Sequence, residues 1–170
     1  VLKNLKMRLR IMRKNNSHII ITGIGRSGTT FLVKLFTELG MDTGFNSGNY
    51  PIFENCNAGL EISLKKHDAP YIVKDPRLCD YLSEVIAMGK IIEHAFVPIR
   101  KLEHAVQSRV SVQQRSLHLL ENRKSIPGGL WDTTSEHQQQ QVLTEKFYRL
   151  VYELTVSNIP CTFLEFPLFA

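Results

Sequence analysis

Gly23, Gly25 and Gly28 punctuate the stretch "HIIITGIGRSGTTFLVKLF", His18 to Phe36. An apolar run, a glycine-rich turn and an amphipathic helix follow one another there. That order is the shape of a phosphate-binding loop, whose ATP- and GTP-binding form reads G-x-x-x-x-G-K-[ST]. Gly23 and Gly28 keep the spacing, but Thr29 stands at the lysine position and Arg26 sits inside the turn. The glycines let the backbone turn tightly and aim successive N–H groups inward. The helix start adds a partial positive charge and unpaired donors. With the hydroxyls of Ser27, Thr29 and Thr30, the turn suits a phosphate or a sulfate group. In nucleotide hydrolases the missing lysine reaches the outer phosphates. Thr29 cannot do this; Arg26 can, from a different position.

Two further stretches carry charge where an α/β sheet would use it. "VKDPRLCDYL" places Lys74, Asp75 and Arg77 just past a short apolar run. "VPIRKLEHAVQSR" places Arg100 at a strand end and Ser108 eight residues on, inside the following helix. Eight residues is a little over two helical turns, so a residue near the helix start and Ser108 share a face. Asp75 ends an apolar run but precedes a proline and an arginine, an unusual setting for a magnesium-holding carboxylate. A Mg-dependent kinase or nucleotide hydrolase is therefore the weaker reading. A noncatalytic phosphate-binding domain is a third.

"GRSGTTFL" resembles the phosphosulfate loop of the sulfotransferases that use 3′-phosphoadenosine 5′-phosphosulfate (PAPS). The resemblance implies that Gly25, Arg26, Ser27, Gly28, Thr29 and Thr30 cradle the 5′-phosphosulfate, with Arg26 as the basic residue at the bridging oxygen. It implies that Arg100 and Ser108 bind the 3′-phosphate. "KDPRL" is similar to a segment of bacterial and Golgi-type carbohydrate sulfotransferases, which implies Lys74 near the transferred sulfuryl group and Arg77 either orienting substrate or anchoring the loop. The implied product is 3′,5′-adenosine bisphosphate and the acceptor a hydroxyl of a carbohydrate or small metabolite. The family continues beyond this point with a glycine-containing basic loop over the nucleotide. The given chain stops at "FLEFPLFA" and lacks an initiating Met, so the expectation is a truncated member with an incomplete nucleotide site.

Sulfuryl transfer needs in-line positioning and fixed positive charge. Arg26, Lys74 and the loop N–H groups supply that charge without a metal. The acceptor hydroxyl also needs a base. Asp75, Glu54, Glu61 and His67 are the candidates. "NYPIFENCNAGLEI" resembles a substrate-side segment with a glutamate, which favours Glu54. Trp131 and Tyr50 are candidate sugar-stacking surfaces, and His94 and His104 read as structural or surface residues.

The elements that must hold these groups follow from the periodicity. "HIIITG" is a β-branched apolar run, as in a strand buried on both faces. Phe31, Leu32, Leu35, Phe36 and Leu39 mark one stripe of a helix that Gly40 stops. Residues 40–70 read as a long irregular excursion with a short helix near 58–66. Strands are expected at 70–75, 90–99 and 161–166, and helices at 77–88, 101–120 and 136–157, with Thr134 or Ser135 capping the last. Strands alternating with helices predict an α/β fold, three-layer α/β/α with a mainly parallel sheet, P-loop NTPase-like. The three motifs, at 23–30, 74–77 and 98–108, then lie at the carboxyl ends of three strands, where such sheets bind ligands.

The 170 residues suit one domain. Residues 1–17 carry six basic residues and no acid, and the other 153 hold 15 basic and 16 acidic. The reading is a basic N-terminal arm, 1–17, on a near-neutral domain, 18–170. A nucleic-acid footprint would spread over a folded face, so no nucleic-acid partner is expected. Leu2, Leu5, Leu9 and Met12 make the arm an amphipathic helix candidate. No apolar run approaches the roughly 20 residues of a membrane span. Three cysteines without metal-type spacing point to a reducing, cytoplasmic setting.

Overall fold

A computed structural model describes residues 16–53, 56–118 and 126–170. The N-terminal arm before Asn16 and the candidate base Glu54 lie outside the described residues.

The β-branched run forms β1, Ser17–Ile21. The glycine turn follows, then α1, Thr29–Glu38. Two short strands, β2 (Ile52–Phe53) and β3 (Ala58–Gly59), form an antiparallel ribbon. β4 is Ile72–Lys74. A 3₁₀ turn, Pro76–Asp80, leads to α2, Leu82–Ala87. β5 is Ile91–Ile99 and α3 Leu102–Arg115. A second 3₁₀ turn, Glu136–Gln138, opens α4, Gln139–Val156, and β6 is Cys161–Glu165.

β4, β1, β5 and β6 lie in that order in one parallel sheet. Successive strand residues face opposite layers. Ile20, Val73, Ala95 and Val97 pack with Leu82, Val85, Ala105, Leu143, Leu150 and Leu154, from α2, α3 and α4. Ile19, Ile21 and Ile72 pack with Leu32, Val33 and Phe36 of α1 on the other face. The molecule is thus an α/β fold with helices on both sides of a parallel sheet. From β1 the chain steps outward to β4, then crosses back to β5 on the other side. The reversal leaves a crevice between the carboxyl ends of β1 and β5, the place where doubly wound sheets bind ligands.

The structure corrects four expectations. Residues 58–66 form no helix: β3 is followed by a loop whose backbone bonds to the sheet edge, with Ile62 N donating to Lys74 O at 3.0 Å. The helix over 77–88 is broken at Tyr81, because Asp75 caps a 3₁₀ turn that starts on Pro76. The helix after β5 ends at Arg115. The last helix is not capped by Thr134 or Ser135; Thr133 Oγ1 accepts from Ser135 N at 3.0 Å and donates to Gln138. No described helix is long and apolar enough to cross a membrane.

Candidate functional site

Thr22, just past β1, holds the start of the glycine loop between its neighbours. Its N–H donates to Phe96 O at 3.0 Å and its hydroxyl to Asp75 O at 2.9 Å. The chain then passes through Arg26 with φ 60°, a left-handed conformation that is costly for a residue with a Cβ. Such strain persists only where the surroundings enforce it, and it concentrates at functional sites. Arg26 O accepts from Arg100 Nη1 at 3.2 Å, and Arg26 Nε donates to Ser108 Oγ at 3.0 Å. The three residues that sequence placed at two different motifs are thus one hydrogen-bonded chain, from the ends of β1 and β5 and from α3.

Gly28 closes the loop as the N-cap of α1, also left-handed (φ 89°) and with no side-chain cap. A Cβ there would stand 2.6 Å from Phe166 Cδ2. The turn after β6 therefore packs directly on the loop, and Arg100 lies 5.4 Å from the Phe166 ring. Without a cap, the first N–H groups of α1 are left for a ligand. Gly25, Arg26, Gly28, Thr29 and Thr30 line a cleft of about 1160 Å³. Ser27 lies beneath it, its hydroxyl fully buried and without a hydrogen-bond partner.

Lys74 and Arg100 line the same cleft. Lys74 is 3% exposed, and its ammonium donates to Thr30 Oγ1 (2.8 Å), Gly59 O (2.6 Å) and Glu61 Oε1 (2.8 Å). All three of its donors are in use. Burial holds its pKa below the usual lysine value, and Glu61 offsets part of that. Glu61, 44% exposed at its side chain, is the partner that opens to the cleft.

Asp75 also borders the cleft but is anchored. Its carboxylate accepts from Leu64 N at 3.0 Å, Arg77 N at 3.2 Å and the Tyr81 hydroxyl. Burial pushes its pKa up to about 6, against the lowering effect of the two N–H bonds. A carboxylate spending its acceptors on its own loop is poorly placed as a base. His67 and His104 are exposed and outside the cleft, and His94 bonds Thr162 Oγ1 at 2.8 Å. Tyr50 also lies outside it, covered by Lys34. Trp131 lines the cleft but is 5% exposed, and its ring lies within 5.5 Å of the cationic groups of Arg77, Arg109 and Lys146. It offers no free stacking face.

Among the described residues, Arg26, Arg100 and Arg109 form no ion pair with a carboxylate. Burial lowers the pKa of Arg26; Cys56 partly offsets this, and the cations Arg100 and Arg115 add to it. The three guanidiniums are held by hydrogen bonds to carbonyls and a hydroxyl.

Sequence reading missed Arg109 and Phe166. A signal for Arg109 existed: it falls four residues after Ala105 and three before Val112, on the buried stripe of α3. Phe166 had none, since its role depends on where the turn after β6 lands.

The chain matches no family model, and no curated protein or solved structure is similar to it by those comparisons.

Proposed function

We propose that this chain is a PAPS-dependent sulfotransferase on a P-loop NTPase-like fold, with a hydroxyl of a carbohydrate or small metabolite as acceptor. One observation carries the reading. Arg26, Arg100 and Ser108, from three elements, converge on an uncapped glycine loop, and no described carboxylate pairs with the two arginines. A group with two anionic ends fits this donor set. Ser108 uses its hydroxyl oxygen to accept from Arg26, which leaves its O–H to donate. Arg26, the hydroxyls of Thr29 and Thr30 and the first N–H groups of α1 hold the phosphosulfate end, and Arg100 with Ser108 the 3′-phosphate. The donor, when bound, supplies a sulfuryl group already attached to a good leaving group.

The remaining work falls to the chain. Lys74 and Arg26 stabilise charge that develops on non-bridging and leaving oxygens, in a cleft where fixed donors need no reorganisation. Glu61, held by Lys74 at one oxygen, takes the proton of the acceptor hydroxyl at its outer oxygen. The exposed edge it occupies leaves it better placed for this than buried Asp75, whose oxygens are taken by its own loop.

Isothermal titration with 3′,5′-adenosine bisphosphate and, in parallel, with ATP and Mg²⁺ tests the reading. The bisphosphate is expected to bind, and Arg100→Ala to weaken it by about 10–100-fold, the worth of one charge-assisted hydrogen bond. Binding of ATP–Mg²⁺ alone rejects the sulfotransferase reading in favour of a kinase or hydrolase. Binding of neither by folded protein favours a noncatalytic domain.

A further inference from the structure

Arg109 is 7% exposed and sits among apolar residues on α3. Taking a guanidinium out of water costs several kcal/mol unless its donors are well used. No described carboxylate pairs with it. Two carbonyls do: Nη2 donates to Ile24 O at 2.6 Å and Nη1 to Gly129 O at 2.8 Å. Its guanidinium carbon lies 4.8 Å from the centre of the Trp131 ring. Ile24 belongs to the glycine loop, whereas Gly129 belongs to the wall of the cleft formed by residues 126–134. A Cβ at Gly25 would stand 2.6 Å from Nη2, so the loop approaches this guanidinium as closely as a backbone can.

We propose that Arg109 is a positioning residue, a clamp that locks the glycine loop and the 126–134 wall into one unit. A ligand on the loop and an acceptor on the wall then meet at a fixed separation. That consequence rests on the anion-binding reading of the cleft; the clamp itself belongs to the protein without ligand. The residue type follows from the geometry. A planar fork reaches two carbonyls of different loops at once, whereas a lysine ammonium is one point on a flexible stem. Nε is left buried and unpartnered, a cost that an apolar residue of similar length would not carry.

Hydrogen–deuterium exchange of the ligand-free protein tests this on wild type, Arg109→Lys, Arg109→Met and Gly25→Ala. In both Arg109 variants, amides of 23–28 and of 126–131 are expected to exchange together at least about tenfold faster, the loss of roughly one charged hydrogen bond. Amides of β5 and α4 keep their protection. Gly25→Ala alters only the glycine loop, yet its Cβ displaces the guanidinium, so residues 126–131 are expected to loosen there too. This variant carries the test if Arg109→Met fails to fold. Faster exchange confined to one of the two segments, or unchanged exchange in both, overturns the clamp. Coupled loosening in a protein that binds no 3′,5′-adenosine bisphosphate upholds the clamp and removes only the ligand assignment.

Discussion

Two cation-rich regions reach the cleft, the second only through Arg77 and Asp132, and they differ in what balances them. At the glycine loop, Arg26, Arg100 and Arg109 donate to carbonyls and a hydroxyl, with no carboxylate among their described partners. On the wall, Arg77, Lys146 and Arg149 meet Asp80 and Asp132: Lys146 reaches the two at 2.8 and 2.6 Å, and Arg77 reaches Asp132 at 3.1 Å. Every cation of the wall cluster has a carboxylate partner, and the cluster ties α4 to the 3₁₀ turn after β4. The loop cluster carries charge that an anion can still answer. Under the proposed function, the cations expected to hold the anion are those without a described carboxylate partner.

The comparison is broken or sharpened most strongly at Lys74. It belongs to the loop region by position, yet it does pair with Glu61. If its charge acts on developing charge rather than on binding, Lys74→Met should slow cleavage of PAPS in the absence of acceptor by about 100–1000-fold. Affinity for 3′,5′-adenosine bisphosphate should stay within about threefold. An equal loss in both would make Lys74 one more binding cation. Thermal denaturation must accompany the assay, since Thr30 Oγ1 and Gly59 O lose a buried donor in the variant.

Asp75 gives the next effect. It lies near the loop cations but is not their counter-ion, and burial lifts its pKa to about 6. The folded state therefore binds this proton more tightly than the unfolded chain, whose carboxyl titrates near 4. Stability falls as pH rises from about 4 to about 6, and the penalty is fully present above that window. The expected size is about 3 kcal/mol, from a shift of roughly two pKa units. Urea denaturation of wild type and Asp75→Asn at pH 4, 5, 6 and 7 should show wild type losing stability relative to the variant across that range. A constant difference would mean that Asp75 is ionised and paired, and that the loop region is compensated after all.

Much of the first region was legible in the sequence because local rules place it. Glycine spacing, a strand-ending arginine and a helix-borne serine each fix a residue at one end of a parallel sheet. The register of that sheet then brings Arg26, Arg100 and Ser108 together. The 58–66 segment misled because its pattern is decided by tertiary bonds, with Leu64 N donating to Asp75 and Ile62 N to Lys74. Those bonds are also what carry Glu61 to Lys74. The expected helix over 77–88 failed at Tyr81, whose hydroxyl is drawn to Asp75. Arg109 was readable only by treating a charge on an apolar stripe as a signal rather than as noise. The ion pairing on the wall was not readable, because Asp80, Asp132 and Lys146 come from three separate segments.

The smallest effect is expected at Arg77, and it is the sharpest test of the contrast. Its side chain is 58% exposed, and its two carboxylate contacts are 3.1 and 3.7 Å long. Exposed ion pairs contribute about 0.2–1 kcal/mol, because water screens them and two long side chains must be held still. Asp80 and Asp132 keep Lys146 as a partner when Arg77 is removed. Arg77→Ala should therefore lower unfolding stability by less than about 1 kcal/mol, measured in urea. It should leave affinity for 3′,5′-adenosine bisphosphate within about twofold, beside the 10–100-fold loss expected for Arg100→Ala. A tenfold loss of affinity at Arg77 would show that a neutralised arginine still holds the ligand. Missing counter-charge would then be no guide to where the anion sits.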